Sequence, residues 1–152
     1  MASVTYESIF SLFLGSITDY KLASLEENDA ADLMKEYLHK ALSASYLRRV
    51  FSSIALDDDA QTITYEMALP TDPDSDSEFV INAISKWMVY EWIHNQVRNI
   101  TNTSQFFGGA EQKYYSQAAH LTELRALQDD TYKEARFFVQ DRGWIHNSYL
   151  GG

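Results

Sequence analysis

The chain has no cysteine, which excludes disulfides and thiolate metal centres. Two prolines and six glycines punctuate its 152 residues, and four of those glycines fall in the pairs Gly108-Gly109 and Gly151-Gly152. So little punctuation favours long helices over a many-turned β fold. No run approaches the ~20 apolar residues of a membrane span. The opening MASVTYESIF has no positive n-region and a broken apolar stretch, so it does not read as a signal peptide. The sequons at Asn99 and Asn102 then carry no meaning, and the chain reads as made and kept in a cytoplasm. Basic residues are also scarce. Twelve Lys and Arg against 22 Asp and Glu give a formal charge of −10, and Arg48-Arg49 is the single adjacent basic pair. A surface this acidic repels phosphate backbones, so direct nucleic-acid binding is disfavoured.

What is present is apolar and aromatic. At 45% hydrophobic and 14% aromatic the chain is too rich for disorder, and its length suits one domain. Ser77 to Asn99 is apolar around most of its circumference and carries Trp87 and Trp92. Ser77 reads as its N-cap, with Asp72, Asp74, Asp76 and Glu78 at the positive end of the helix dipole and Arg98 at the other. A helix of this kind has to be surrounded by other helices. Before it, Tyr6, Ile9, Phe10, Phe13, Leu14 and Ile17 form a helical stripe within Val4 to Ile17, ended by Thr18-Asp19-Tyr20. Ser24 with Glu27 makes a capping box, with Asn28 as an alternative cap. The helix that follows reads through to about Phe51, with Ser43 to Ser45 either a break or a close-packing point.

Ser52 to Asp76 is the irregular part, containing the solvated loop Asp57-Asp58-Asp59 and closing on Pro70 and Pro73. Within it Gln61 to Met67 alternates, with Ile63, Tyr65 and Met67 on one side, as a short strand or extended arm. A lone strand has to pair, and a neighbouring subunit is one place for its partner. Ile100 to Gly109 reads as a linker whose Phe106-Phe107 pair is buried or docked. Ala110 to Asp141 is helical again, with a potential split at Asp129-Asp130-Thr131 and Gly143 as the C′ residue. The remaining tail cannot bury its own Trp144, Ile145, Tyr149 and Leu150, so it docks on its own body or on another subunit. The fold expected is therefore all-α. Residues 1–142 form a bundle of four to five helices with an extended loop over 52–76, and 143–152 form a C-terminal docking arm.

Several constellations suggest chemistry. Glu36-x-x-His39 and Glu91-x-x-His94 have the spacing of di-iron bundle ligands. At ~100° per residue, Glu91 falls on the apolar face with Val80, Ile84 and Met88, whereas Glu36 and His39 fall opposite theirs. The motifs do not converge, and no metal or other cofactor is expected. A buried Glu91 needs an ion-pair partner, with Arg98, Arg125 and Arg136 as candidates. Asp72-x-Asp74-x-Asp76 resembles the start of an EF-hand loop. It has Ser77 where the glycine belongs and Ala83 where the bidentate glutamate belongs, so an acid-dressed helix N-terminus is the better reading. No serine sits in a nucleophile-elbow motif and no glycine-rich phosphate loop occurs.

SIFSLFLGSITDYKL, WMVYEWIHNQVRN, QFFGGAEQKYYSQAAHLTELRAL and the closing NSYL together resemble small virion proteins from the neck of tailed bacteriophages. The resemblance spans most of the chain and its motifs are structural. It implies a non-enzymatic head–tail connector or adaptor, with a head-closure or tail-completion protein as the alternative within the same neck. Such subunits form a ring, commonly of twelve copies, under the portal protein and meet neck or tail proteins. DNA passes through without specific binding, and no membrane is involved. The implied location is the virion neck, assembled in the host cytoplasm. The resemblance also implies that Trp144, Ile145, Tyr149 and Leu150 hook onto the portal and that the extended arm with Ile63, Tyr65 and Met67 meets the neighbouring subunit. From another class, a ferritin-like metal enzyme and a regulatory module binding one helical partner are the competing readings.

Overall fold

The computed structural model describes residues 2–17, 27–106 and 111–145, with side chains over 2–17, 31–98 and 121–142. Its elements run β1 (Ala2–Thr5), α1 (Tyr6–Ser16), α2 (Glu27–Leu42), α3 (Ser45–Arg48), β2 (Phe51–Asp57), β3 (Thr62–Met67), α4 (Pro73–Phe106) and α5 (Glu111–Ile145). The all-α expectation is therefore wrong. The three strands make an antiparallel sheet in the order β1-β3-β2, and the fold is mixed α/β.

Thr5 ends β1 and caps α1. Its backbone is extended and its hydroxyl accepts from the Ser8 N–H, which turns strand into helix within one residue. Of the expected stripe, Tyr6, Ile9, Phe10 and Phe13 go inward and are buried, Ile17 is half-buried, and Leu14 faces out. α2 stops because the Ser43 hydroxyl takes the Lys40 carbonyl at 2.6 Å and Ala44 turns extended at ψ 117°. After the single turn of α3 the chain enters β2, where the sequence reading expected helix and then loop. The β2–β3 hairpin turns on Asp57, whose Oδ1 accepts from the N–H groups of Asp59 and Ala60. Gln61, with φ 56°, completes the turn in the left-handed region.

β3 is the central strand. Ile63, Tyr65 and Met67 alternate into the core opposite Leu56, Ile54 and Phe51 of β2, and Val4 of β1 stands beside Ile63. These three side chains are thus buried in the chain's own sheet and are not held out to a neighbouring subunit. The strand's partners were present within the chain all along.

α4 starts four residues before the expected Ser77. Pro73 occupies the first helical position, where a missing N–H costs nothing. The Asp72 carboxylate accepts from the Ser75 N–H at 3.2 Å and its carbonyl from Asp76 at 2.8 Å. Val80, Ala83, Ile84, Trp87 and Met88 bury the expected face. The helix continues through the expected linker to Phe106. α5 returns antiparallel to it, with Phe79 stacked on Phe138 at 5.3 Å and Trp87 edge-on to Tyr132 at 5.7 Å. No break occurs at Thr131, whose hydroxyl bonds back to the Leu127 carbonyl at 2.7 Å, and Gly143 lies inside the helix. Among the described residues, no helix is long and apolar enough to cross a membrane.

Candidate functional site

The C-terminal end of α5 is fastened by one buried ion pair. Asp76, in the first turn of α4, and Arg142, in the last turn of α5, meet at 2.6 Å, with side chains 7% and 13% exposed. The geometry around them is dense. Asp76 also accepts from the Thr71 hydroxyl at 2.6 Å and the Thr71 N–H at 3.0 Å. Arg142 reaches the Leu69 carbonyl at 3.1 Å and lies 4.6 Å over the Phe79 ring. Burial alone would push the Asp76 carboxyl up. The Thr71 and Arg142 hydrogen bonds outweigh it and hold the group below the usual carboxylate range. Leu69, whose carbonyl Arg142 holds, is 53% exposed and places apolar surface beside this clamp. α5 continues past this fastened point to Ile145.

A second polar node joins α1, α2 and the hairpin. The Tyr6 hydroxyl donates to Asp58 Oδ1 at 2.6 Å, and His39 Nε2 lies 3.1 Å from the same carboxylate. The Tyr6 bond, with help from His39, outweighs the opposing effect of burial and holds the Asp58 carboxyl low. Burial and the Asp58 contact push the Tyr6 phenol well above its ordinary value. A carboxylate held low and a phenol pushed high are both poorly matched to proton transfer near neutrality. The node ties the acidic turn down to the helices.

Both aspartates link stability to pH. A carboxyl whose folded value is depressed contributes stability above its unfolded value of about 3.9 and loses it as pH falls through the folded value. Urea unfolding midpoints should therefore fall steeply below about pH 4. Asp76→Asn should flatten that fall more than Asp58→Asn, because Asp58 is half exposed. An acid limb unchanged in both variants contradicts the assignment.

The residues singled out by sequence are placed as follows. Trp144 and Ile145 lie in the last turn of α5; their side chains, and Tyr149 and Leu150 altogether, lie outside the described residues. Glu91 is half-buried, Arg98 and Arg125 are exposed, and no ion pair joins them among the described residues. Arg136 instead covers the rings of Tyr46 and Tyr132. The two Glu-x-x-His motifs stay apart. His39 bonds Asp58 and Glu36 pairs with Lys40, whereas His94 bonds the Gln128 amide at 2.7 Å and stacks on Tyr90. Among the described residues, no three His, Asp or Glu side chains converge as metal ligands.

Sequence reasoning missed Arg142 as a partner for Asp76, since the two are 66 residues apart and nothing in their spacing relates them. It also missed a groove of about 550 Å³ between α1, α4 and α5, lined by Leu12, Val89, Trp92, Leu124 and Leu127 among others. Leu12 and Leu127 are exposed there. Comparison with protein-family models, curated proteins and solved structures finds no match.

Proposed function

We propose that the chain is a structural subunit of a tailed-phage neck, a head–tail adaptor that joins the portal to the tail and assembles with copies of itself. The observation that carries the reading is the clamped base of the C-terminal segment. Asp76 and Arg142 fix the end of α5 while Leu69 stays exposed beside it. A docking arm needs such a base, because a rigid root lowers the entropy lost when the arm is seated. The likeness of the sequence to neck proteins supports the same reading. The net charge of −10 suits a channel along which DNA slides without sticking.

Deletion of residues 144–152 tests it. The truncated chain should keep its far-UV circular dichroism, because the Asp76–Arg142 clamp lies before the cut. It should no longer co-purify with a co-expressed portal protein of the same phage. Undiminished co-purification contradicts the arm assignment.

A further inference from the structure

β2 is an edge strand, and among the described residues no backbone or side-chain group bonds to its outer side. Exposed edges are normally guarded by lysine, proline or an inward charge, because their free N–H and C=O groups recruit any extended chain. β2, sequence FSSIALD, carries no lysine, proline or inward charge, and its guards are confined to its ends: a register irregularity at Phe51/Ser53 and the charge of Asp57. Its register irregularity between Phe51 and Ser53 leaves Ile54 to Asp57 regular. The opposite edge, β1, is only four residues long and lies against α4.

The two ends of β2 carry opposite charge. Arg48 and Arg49 stand exposed just before it, with no ion-pair partner among the described residues. The exposed turn Asp57-Asp58-Asp59 stands just after it. A parallel pairing of two such strands would put acid beside acid. An antiparallel pairing puts acid beside base, twice.

We infer that two free copies of the chain pair edge to edge through β2, antiparallel about a two-fold axis near Ile54. The two three-stranded sheets join into one of six strands. In that arrangement the acidic turn Asp57-Asp58-Asp59 of each copy comes to the end of β2 where the other copy carries Arg48 and Arg49. Such a contact is isologous and closes on itself. It is the form of the free subunit, distinct from any ring contact, and it hides an aggregation-prone edge before assembly.

Sedimentation velocity of the full chain across concentration and salt tests this. The wild type should show a monomer–dimer equilibrium weakened by salt. Arg49→Glu and Asp59→Lys should each raise the dissociation constant about tenfold, since each acts at two symmetric contacts. The double reversal should restore it. Both side chains are exposed, and the turn uses the Asp59 backbone rather than its carboxylate, so the fold should hold. Circular dichroism checks that it does. Three results overturn the inference: a monomer at the highest soluble concentration, a dimer moved by neither reversal, and single losses that the double reversal does not repair. A dimer lost on deleting residues 144–152 yet indifferent to the reversals assigns the edge to the arm and also overturns it. Portal co-purification should be unaffected by these variants, so failure here leaves the adaptor reading standing.

Discussion

Arg142→Ala should cost about 3 kcal/mol or more of unfolding free energy, measured by urea denaturation at neutral pH. The loss exceeds that of an ordinary surface pair because of what remains behind. Asp76 stays buried with only the neutral Thr71 hydroxyl and N–H to compensate its charge. The Phe79 ring also loses the guanidinium that covers it. Asp76→Asn combined with Arg142→Ala should recover part of the loss, since no uncompensated charge is then left, and the two substitutions should be strongly non-additive. A cost below about 1 kcal/mol would place this pair with exposed salt bridges and remove the clamp from the account.

The second large effect concerns the strand first read as an inter-subunit arm. Ile63 is fully buried at the centre of the sheet, so Ile63→Ala should cost about 2–5 kcal/mol. The cost should be the same at every protein concentration, because the contacts are internal to one chain. A stability loss that appears only when the protein is concentrated would return Ile63 to an intermolecular interface. The outer face of β3, with Thr62, Thr64 and the exposed Glu66, should tolerate substitution within a few tenths of a kcal/mol.

These effects also show which parts of the fold the sequence could disclose. The α1 stripe and the apolar face of α4 were legible because a helix buries residues at a spacing visible within a dozen positions. β2 was not, since FSSIALD lacks clean alternation. Its irregular register at Phe51 and Ser53 breaks the period of two, and Leu47 and Val50 fit the spacing of the preceding helix. Missing β2 left β3 without a partner, which is why its buried face was read as an arm. The start of α4 was misplaced because Ser77 is a good cap, while Asp72-Pro73 is better: a cap carboxylate followed by the residue suited to the first helical position. Gly143 and the Asp129-Asp130-Thr131 run looked like helix ends but are carried by continuous packing of α5 on α4 through Ala135 and Val139. Tertiary contact overrides weak local propensity there.

The candidate site was the least legible part. Tyr6 and Asp58 are 52 residues apart, and Asp76 and Arg142 are 66 apart. Only the topology brings them together. Sequence did identify the acidic run that supplies Asp76, but it assigned Glu91 the buried ion pair that Asp76 in fact makes. Glu91 is half-buried on α4, close enough to solvent to do without one.

The central claim is that this chain is a neck adaptor, and locating it in an assembled particle tests that claim most directly. A cryo-electron micrograph reconstruction of the virion encoded by the same genome should show the helices of this chain as a ring between portal and tail, with residues 144–152 running up to the portal. Density for this fold in the head shell or the tail shaft, or a particle complete at the neck without it, would contradict the account.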